Sequence, residues 1–245
     1  AFPYCSDFLS LASLPSIGIK MDKITGSLLQ TFVEQNELGN IGEATQFEHF
    51  VNYSIASKQF RGSFELDDIH SGAGGDCAID GIFVIVNGRV ITDCDELNDI
   101  VETAGHLDAD IHFIQSKTTS SFSGAEIGSF IHGVKDFLSD EPQLVQNEKI
   151  QTIKQVWEEI ILKSSYMVNH CKLFYVCTGK WVEDQNLKAV INSGENEIDA
   201  MGLFETVKLE PFGASEIQRL FHETKNKLSA TITFQNRVTL PDINE

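Results

Sequence analysis

The sequence lacks the features of a membrane or secreted protein. Its 245 residues contain no apolar run of the roughly 18 residues that a membrane-spanning helix needs, so we expect no membrane partner. Residues 1–20 lack the basic opening and apolar core of a secretory signal peptide. The five cysteines form no Cys-x-x-Cys pair, which predicts free thiols in a reducing, cytoplasmic setting.

Basic residues are scarce. The chain has 18 Lys and Arg against 36 Asp and Glu, for a formal net charge of −18. This charge by itself argues against nonspecific adhesion to nucleic acid, because the field of such a protein repels phosphates. The acidic residues crowd into 93–110 and 195–210, so a local basic groove elsewhere is still compatible with this charge. The 42% hydrophobic content predicts a proper core, in one large domain or one domain with an appendage.

Several common catalytic motifs are missing. The seven histidines show no His-Glu-x-x-His spacing and no Gly-x-Ser-x-Gly elbow occurs, so we expect the histidines to be ordinary core or surface residues. The glycine-rich loop at 71–76 has neither the Gly-Lys-Ser/Thr ending of a phosphate-binding loop nor a Gly-x-Gly-x-x-Gly pattern. We expect its glycines to allow positive φ angles, and Asp76 to be a turn residue rather than an extra metal ligand.

Two predicted strands hold the polar residues of interest. The first is GGDCAIDGIFVIV at 74–86, and the Asn-Gly pair that follows it is the strongest hairpin signal in the sequence. The second is DIHFIQSK at 110–117. The acidic segment 92–110 before it lacks the central glycine and the spacing of an EF-hand, so we interpret it as a solvated helical insertion.

Strand geometry decides which of these side chains share a face. Successive strand residues point to opposite faces, so Gln115 and Lys117 share a face with Phe113. By the same rule Asp80 shares a face with Ile82. The pattern therefore puts charged groups at the rim of an apolar sheet, where both functional residues and ordinary strand ends occur.

Apolar periodicity predicts the remaining elements and their order. We expect helices over 22–38, 41–58, 126–138, 145–163, 186–191 and 215–228, and further strands over 171–179 and 204–209. A strand that leads into an amphipathic helix is typical of an α/β arrangement with the helix packed on the sheet. The predicted organisation is an artificial or upstream remnant (1–20), a packing helix (21–40), a main domain (41–228), and an edge strand or linker to a missing carboxy-terminal region (229–245).

Glu48 stands out on the second predicted helix. At about 100° per residue it falls inside the apolar stripe formed by Ala44, Phe47, Val51 and Ile55. A carboxylate that faces a core is costly unless it is paired, protonated or bound to a metal. A hydrogen bond to a neighbouring loop and a metal-binding role are both open for this residue.

The order of these features resembles a known superfamily. A helix with Glu48, a strand with Asp80, a hairpin, and a strand with Gln115 and Lys117 resemble the core of PD-(D/E)xK, or restriction-endonuclease-like, nucleases. The segments FEHF, GGDCAIDGI and FIQSK are similar to the Mrr-type variant, in which Gln replaces the second acidic residue. GGDCAIDGIFVIVNG, IQSKTTSSF and GVKDFL also resemble the amino-terminal nuclease domain of abortive-infection phage-resistance (AIPR) proteins. The resemblance covers 41–179 and extends loosely to 228.

The resemblance implies a fold and a set of site residues. The implied fold is α/β with a restriction-endonuclease-like core, a mixed central sheet flanked by helices. The implied catalytic residues are Glu48, Asp80, Gln115 and Lys117, with Glu48, Asp80 and the backbone carbonyl of Ser116 binding Mg²⁺ or Mn²⁺. Such cations prefer oxygen ligands and retain waters. The neutral amide of Gln115 favours one tightly bound metal over two.

The resemblance also implies a function, with alternatives. It implies a Mg²⁺- or Mn²⁺-dependent endonuclease that hydrolyses DNA in anti-phage defence, either abortive infection or restriction. An RNA-directed nuclease shares the same site and is one alternative. The other is a catalytically silent nuclease-like binding or scaffolding module, which the acidity and Gln115 favour. A homodimer and a missing carboxy-terminal domain or regulatory partner are also open.

Overall fold

The computed structural model describes residues 21–72, 74–104, 106–164 and 168–225. The predictions for 1–20 and 229–245 lie outside the described residues, as does the end of the last predicted helix. Cys5 also lies outside them, while the other four cysteines are free thiols. Among the helices of the described ranges, none is long and apolar enough to cross a membrane.

Within these ranges the chain alternates helices and strands. In chain order the elements are α1 (Lys23–Gln35), α2 (Glu43–Gln59), α3 (Leu66–Ile69), β1 (Gly81–Val86), β2 (Arg89–Ile91), α4 (Cys94–Thr103), β3 (Ala109–Lys117), α5 (Gly124–Leu138), α6 (Glu148–Lys163), β4 (Val168–Cys177), α7 (Gln185–Asp199), β5 (Phe204–Phe212) and α8 (Ala214–Lys225). All the helices and strands predicted within the described ranges are present, with shifted ends. The largest shift is in α7, which runs eight residues beyond the predicted end at 191.

The five strands form one mixed sheet in the order β2-β1-β3-β4-β5. β1 pairs antiparallel with β2 and with β3, whereas β3, β4 and β5 are parallel to one another. Parallel neighbours need a crossover connection, which α5 and α6 supply before β4 and α7 supplies before β5. The predicted α/β class with a mixed central sheet flanked by helices is therefore confirmed.

Helices cover both faces of the sheet and create two cores. The first core lies under α4, α5, α6 and α7 and includes Ile82, Phe113 and Trp157. The second lies under α1, α2 and α8 and includes Phe50 and Ile114. Because Phe113 and Ile114 fall in different cores, the predicted alternation along β3 is confirmed. Burial on both faces also explains why residues 173–177 of β4 are apolar throughout.

The Asn-Gly turn joins β1 to β2 as predicted. Asn87 has φ 49° and Gly88 has φ 76°, and Val86 pairs with Arg89 across the hairpin. Positive φ at both central residues is the conformation that Asn-Gly favours in a two-residue hairpin.

The strand predicted from residue 74 begins only at Gly81. Residue 72 and residues 74–79 instead have irregular backbone conformation, and the three described glycines among them have positive φ, as the glycine-rich sequence indicated. Cys77 and Ala78 also have positive φ, 56° and 60°. The chain thus turns through a conformation that is unusual for side-chain-bearing residues just before the sheet begins.

Two predictions of burial are wrong in detail. The acidic insertion does form a helix, α4, but it is not simply solvated, because Leu97 and Ile100 are buried in the first core. On α2, Ala44 is exposed, so the buried stripe begins at Phe47. In both cases the packing of neighbouring elements decides which turn of the helix is covered.

Candidate active site

Asp80 extends the pairing of β1 with β3 by one residue. It is 6% exposed, and its backbone N–H donates to the carbonyl of Ile114 at 2.8 Å. Its carboxylate oxygen Oδ2 accepts the backbone N–H of Ser116 at 2.7 Å and the hydroxyl of Ser116 at 3.2 Å. The carboxylate of Asp80 thus accepts the hydrogen bond that a main-chain carbonyl would accept between two paired strands. This bond fixes the direction of the Asp80 side chain.

Gln115 contacts the same carboxylate. It is 1% exposed, and its Nε2 donates to Oδ2 of Asp80 and lies 3.4 Å from the carbonyl oxygen of Ser116. Its Oε1 is buried and accepts no hydrogen bond from any described residue. A buried acceptor without a partner costs about 1–3 kcal/mol, so this oxygen marks a place where a donor or a cation would be stabilising.

Glu48 reaches the site from α2, which packs on the opposite face of the sheet from α5. Its side chain is 23% exposed, and its Oε2 lies 3.9 Å from Nε2 of His70. The pKa of Glu48 is raised to about 7, because burial and the negative charge of Asp80 raise it more than the positive charge of Lys117 lowers it. The interpretation of Glu48 as a carboxylate facing a desolvated region therefore agrees with the structure.

The pKa of Asp80 is also raised, to about 6, mainly by burial. Lys117 and the hydrogen bonds from Ser116 lower this pKa, and the charge of Asp76 raises it. Two carboxyl groups therefore share a poorly hydrated site and bind protons near neutral pH. A cation bound to them would oppose both shifts, because its positive charge stabilises the ionised carboxylates.

Lys117 is the last residue of β3, where it is half-buried. Its ammonium lies in no ion pair within 4.0 Å among the described residues. Its positive charge nevertheless lowers the pKa of both Glu48 and Asp80. The structure thus places near the two carboxylates an ammonium that forms no ion pair with a described residue.

The donor set fits a hard divalent cation. Across the described ranges no three His, Cys, Asp or Glu side chains cluster as metal ligands. The oxygens available here are instead the carboxylates of Asp80 and Glu48, Oε1 of Gln115 and the carbonyl of Ser116. All hydrogen bonds that described residues donate to the Asp80 carboxylate reach Oδ2, which leaves Oδ1 for a ligand. Mg²⁺ and Mn²⁺ favour such oxygen donors and complete their shell with water.

The structure adds two residues that the sequence analysis missed. Asn52 donates Nδ2 to the carbonyl of Asp80 at 3.0 Å and packs on Gly81, where an added Cβ would overlap its amide. It lies four residues after Glu48, and this spacing on one helix face is the signal that could have identified it. His70 follows the short helix α3, and nothing in its local sequence indicates its approach to Glu48. Burial lowers the pKa of His70, so its imidazole is neutral at pH 7.

Asp76 behaves as the turn residue that the sequence predicts. Its Oδ1 accepts the backbone N–H of Ala78 at 2.9 Å, and its carbonyl accepts that of Ile79 at 2.9 Å. The charge of Asp76 still raises the pKa of Glu48 and of Asp80. It therefore acts on the site electrostatically.

Comparisons of the chain with models of protein families, with curated proteins and with solved structures found no match. The resemblance to PD-(D/E)xK and AIPR nucleases therefore rests on the residues and stays a prediction. The structure itself defines an α/β domain with a buried carboxylate, an amide and an ammonium gathered where β1 begins and β3 ends.

Proposed function

We propose that this chain is a metal-dependent nuclease that hydrolyses phosphodiester bonds of DNA, built on a restriction-endonuclease-like core. One observation carries the proposal: the buried contact of Gln115 with Asp80 leaves an amide oxygen and a carboxylate oxygen without described partners, beside Glu48 and Lys117. The sheet order, with β1 antiparallel to β3 and β3 parallel to β4, supports it.

Four oxygen donors would hold Mg²⁺ or Mn²⁺: the carboxylates of Glu48 and Asp80, Oε1 of Gln115 and the carbonyl of Ser116. When bound, such a cation lowers the pKa of a coordinated water and neutralises charge on a phosphate. Asp80 is held in one orientation by Ser116 and Gln115, so little reorganisation is needed on binding.

The other charged side chains have separate roles in this proposal. The ammonium of Lys117 stabilises the negative charge that develops on the phosphoryl oxygens during attack. Glu48, with its pKa raised to about 7, can take up or release a proton at neutral pH when it is not bound to a cation. Asn52 holds the carbonyl of Asp80 in place by a hydrogen bond, and His70 packs beside Glu48, with Nε2 3.9 Å from Oε2.

The biological setting follows from the resemblance to AIPR proteins, which supports a role in anti-phage defence in the cytoplasm. The free thiols of the four described cysteines agree with a reducing compartment. An RNA substrate would use the same chemistry. A homodimer would suit cleavage of both strands of a duplex.

Two observations favour a second candidate, a catalytically silent binding module. The net charge of −18 and the direct bond from Gln115 to Asp80 suit a site that has exchanged a cation for a hydrogen bond. Metal affinity separates the two functions, because a scaffold has no need to bind Mg²⁺ or Mn²⁺ at Asp80 and Glu48.

The test is cleavage of supercoiled plasmid and of a labelled single strand with Mn²⁺, Mg²⁺ or EDTA. Wild type is compared with Asp80→Asn, which keeps the side-chain shape, and with Asp99→Asn on the exposed face of α4 as the matched control. Metal-dependent nicking that Asp80→Asn loses and Asp99→Asn keeps supports the nuclease. A wild-type protein that is inert with every cation and binds none of them by calorimetry supports the scaffold.

A further inference from the structure

The loops that follow β3 and β4 are joined by hydrogen bonds and close backbone packing beside the candidate site. Thr178 donates its backbone N–H to the carbonyl of Thr119 at 2.9 Å, and its hydroxyl donates to the same carbonyl at 2.9 Å. Gly179 lies so close to the neighbouring loop that an added Cβ would overlap the carbonyl of Ser120. The carboxyl end of the parallel strands, the usual place for a binding site in an α/β sheet, is therefore a rigid rim.

Two aromatic rings lie on this rim. Phe122 and Trp181 meet edge to face, with ring centroids 4.8 Å apart and planes at 77°. Both are half-buried, since their inner edges pack on the first core. The ring of Phe122 is also 6.1 Å from that of Tyr175, the residue that pairs with Gln115 across β3 and β4. Through the buried ring of Tyr175 the aromatic pair is thus connected to the strand position of Gln115 in the candidate site.

Two lysines without ion pairs lie close in the chain to the aromatic pair: Lys117 ends β3 ahead of Phe122, and Lys180 precedes Trp181. Lys180 is exposed and adjoins Trp181, and neither it nor Lys117 forms an ion pair in the described part of the chain. Several other lysines are paired with glutamates, as Lys135 is with Glu197 at 2.5 Å. In a chain with net charge −18, two ammonium groups without ion pairs near a half-buried aromatic pair form a local surface suited to an anion with apolar parts.

We propose that Phe122 and Trp181 stack on an unpaired base of a single-stranded nucleic acid, with its phosphates at Lys117 and Lys180. This inference rests on the proposed nuclease function and specifies its substrate class. Single strands are bound without sequence preference by aromatic side chains that stack on bases and by cations that contact the backbone. A duplex keeps its bases paired and stacked, so it cannot occupy the rings without the cost of opening.

Tryptophan fluorescence tests the stacking directly. The chain has two tryptophans, and Trp157 is 2% exposed and stacks on Phe204, so Trp157→Phe leaves Trp181 as the reporter. With Ca²⁺ in place of Mg²⁺, oligothymidylate should quench the emission of Trp181 saturably, and oligouridylate in a parallel titration distinguishes DNA from RNA. Saturable binding by anisotropy of a labelled oligomer with unchanged Trp181 emission overturns the proposal.

Affinity measurements with matched variants provide a second test. Trp181→Leu should raise the Kd for the single strand about tenfold or more, and Lys180→Ala should raise it by a smaller factor. The controls are Phe60→Leu, a half-buried ring after the end of α2, and Arg89→Ala, an exposed cation on β2. Equal Kd values for Trp181→Leu and wild type, with both folded by thermal unfolding, overturn the proposal.

Failure of this inference is distinguishable from failure of the proposed function. Metal-dependent cleavage of DNA without quenching of Trp181 overturns the stacking site and leaves the nuclease intact. Quenching and tight binding of the single strand by a protein that cleaves nothing with Mn²⁺ or Mg²⁺ supports the stacking site and rejects the nuclease.

Discussion

The backbone N–H of Ser116 donates a 2.7 Å hydrogen bond to Oδ2 of Asp80. This bond joins the residue before β1 to the next-to-last residue of β3, and it belongs to the same ladder that holds the two strands together. Gln115 donates to the same oxygen. The candidate site is therefore oriented by the hydrogen bonds of the sheet, and Oδ1 is presented without reorganisation.

Replacing Gln115 by Glu should make the protein depend on a metal for stability. The change removes the donor to Asp80 and places a second carboxylate against a buried one, which is unfavourable without a cation. We expect the melting temperature in EDTA to fall and the increase on adding Mn²⁺ to exceed that of wild type. Gln35→Glu, on the exposed face of α1, is the control. Equal Mn²⁺-induced increases in wild type and Gln115→Glu would contradict the assigned metal ligands.

Replacing Lys117 by Met should abolish cleavage and leave the fold intact. The loss of one preorganised charge at a phosphoryl group typically reduces the rate by about 100-fold or more. Lys117 is half-buried without an ion pair to a described residue, so the free energy of unfolding should change by less than about 1 kcal/mol. Initial nicking rates in Mn²⁺ and urea unfolding measure the two effects. Retained cleavage would remove the assignment of Lys117.

Metal binding should depend on pH through two carboxyl groups. Burial raises the pKa of Glu48 to about 7 and that of Asp80 to about 6, so a cation must displace protons at lower pH. We expect the Mn²⁺ affinity to increase as pH rises through these values, with proton release measured by calorimetry in buffers of different ionisation enthalpy. Glu48→Gln should make the Mn²⁺ affinity less dependent on pH near 7, where Glu48 titrates. A pH-independent affinity would show that these groups do not bind the cation.

Without metal, the free energy of unfolding should decrease as pH rises, whereas the Mn²⁺ affinity should increase. The folded state raises the pKa of Glu48 from 4.5 to about 7, so its contribution to stability is fully present below pH 4.5 and is lost as pH rises through about 7. Between these values, wild type should lose on the order of 2 kcal/mol relative to Glu48→Gln. Urea unfolding in EDTA at several pH values measures this difference. Parallel stability curves for the two proteins would argue against the raised pKa.

Replacing two glycines of α5 by alanine should have opposite effects on the stability of the protein. A Cβ at Gly133 would overlap the carbonyl oxygen of Cys77, whereas at Gly128 nothing lies within 4 Å. Gly133→Ala should therefore destabilise the protein by about 1–3 kcal/mol and weaken Mn²⁺ binding, because it displaces the loop before Asp80. Gly128→Ala should stabilise by about 0.5–1 kcal/mol through helix propensity. Similar effects of both changes would mean that the helix does not support the loop.

The sequence by itself determined the class of the fold and which two segments form the strands at the site. Apolar periodicity is a local property, so it identified α5 and the alternation of Phe113 and Ile114 along β3. The Asn-Gly turn predicted the hairpin, and strand alternation predicted that Asp80 shares a face with Ile82. Asp80, Gln115 and Lys117 could therefore be selected before their contacts were known.

Only the tertiary structure decided which other groups join them and what burial does to their charges. Asn52 and His70 reach Asp80 and Glu48 through packing of helices on the sheet, and the rim with Trp181 depends on the locking of two loops. The raised pKa of Glu48 likewise comes from desolvation and from Asp80. These properties arise between segments distant in the chain, and local periodicity does not encode the distance or dielectric between such segments.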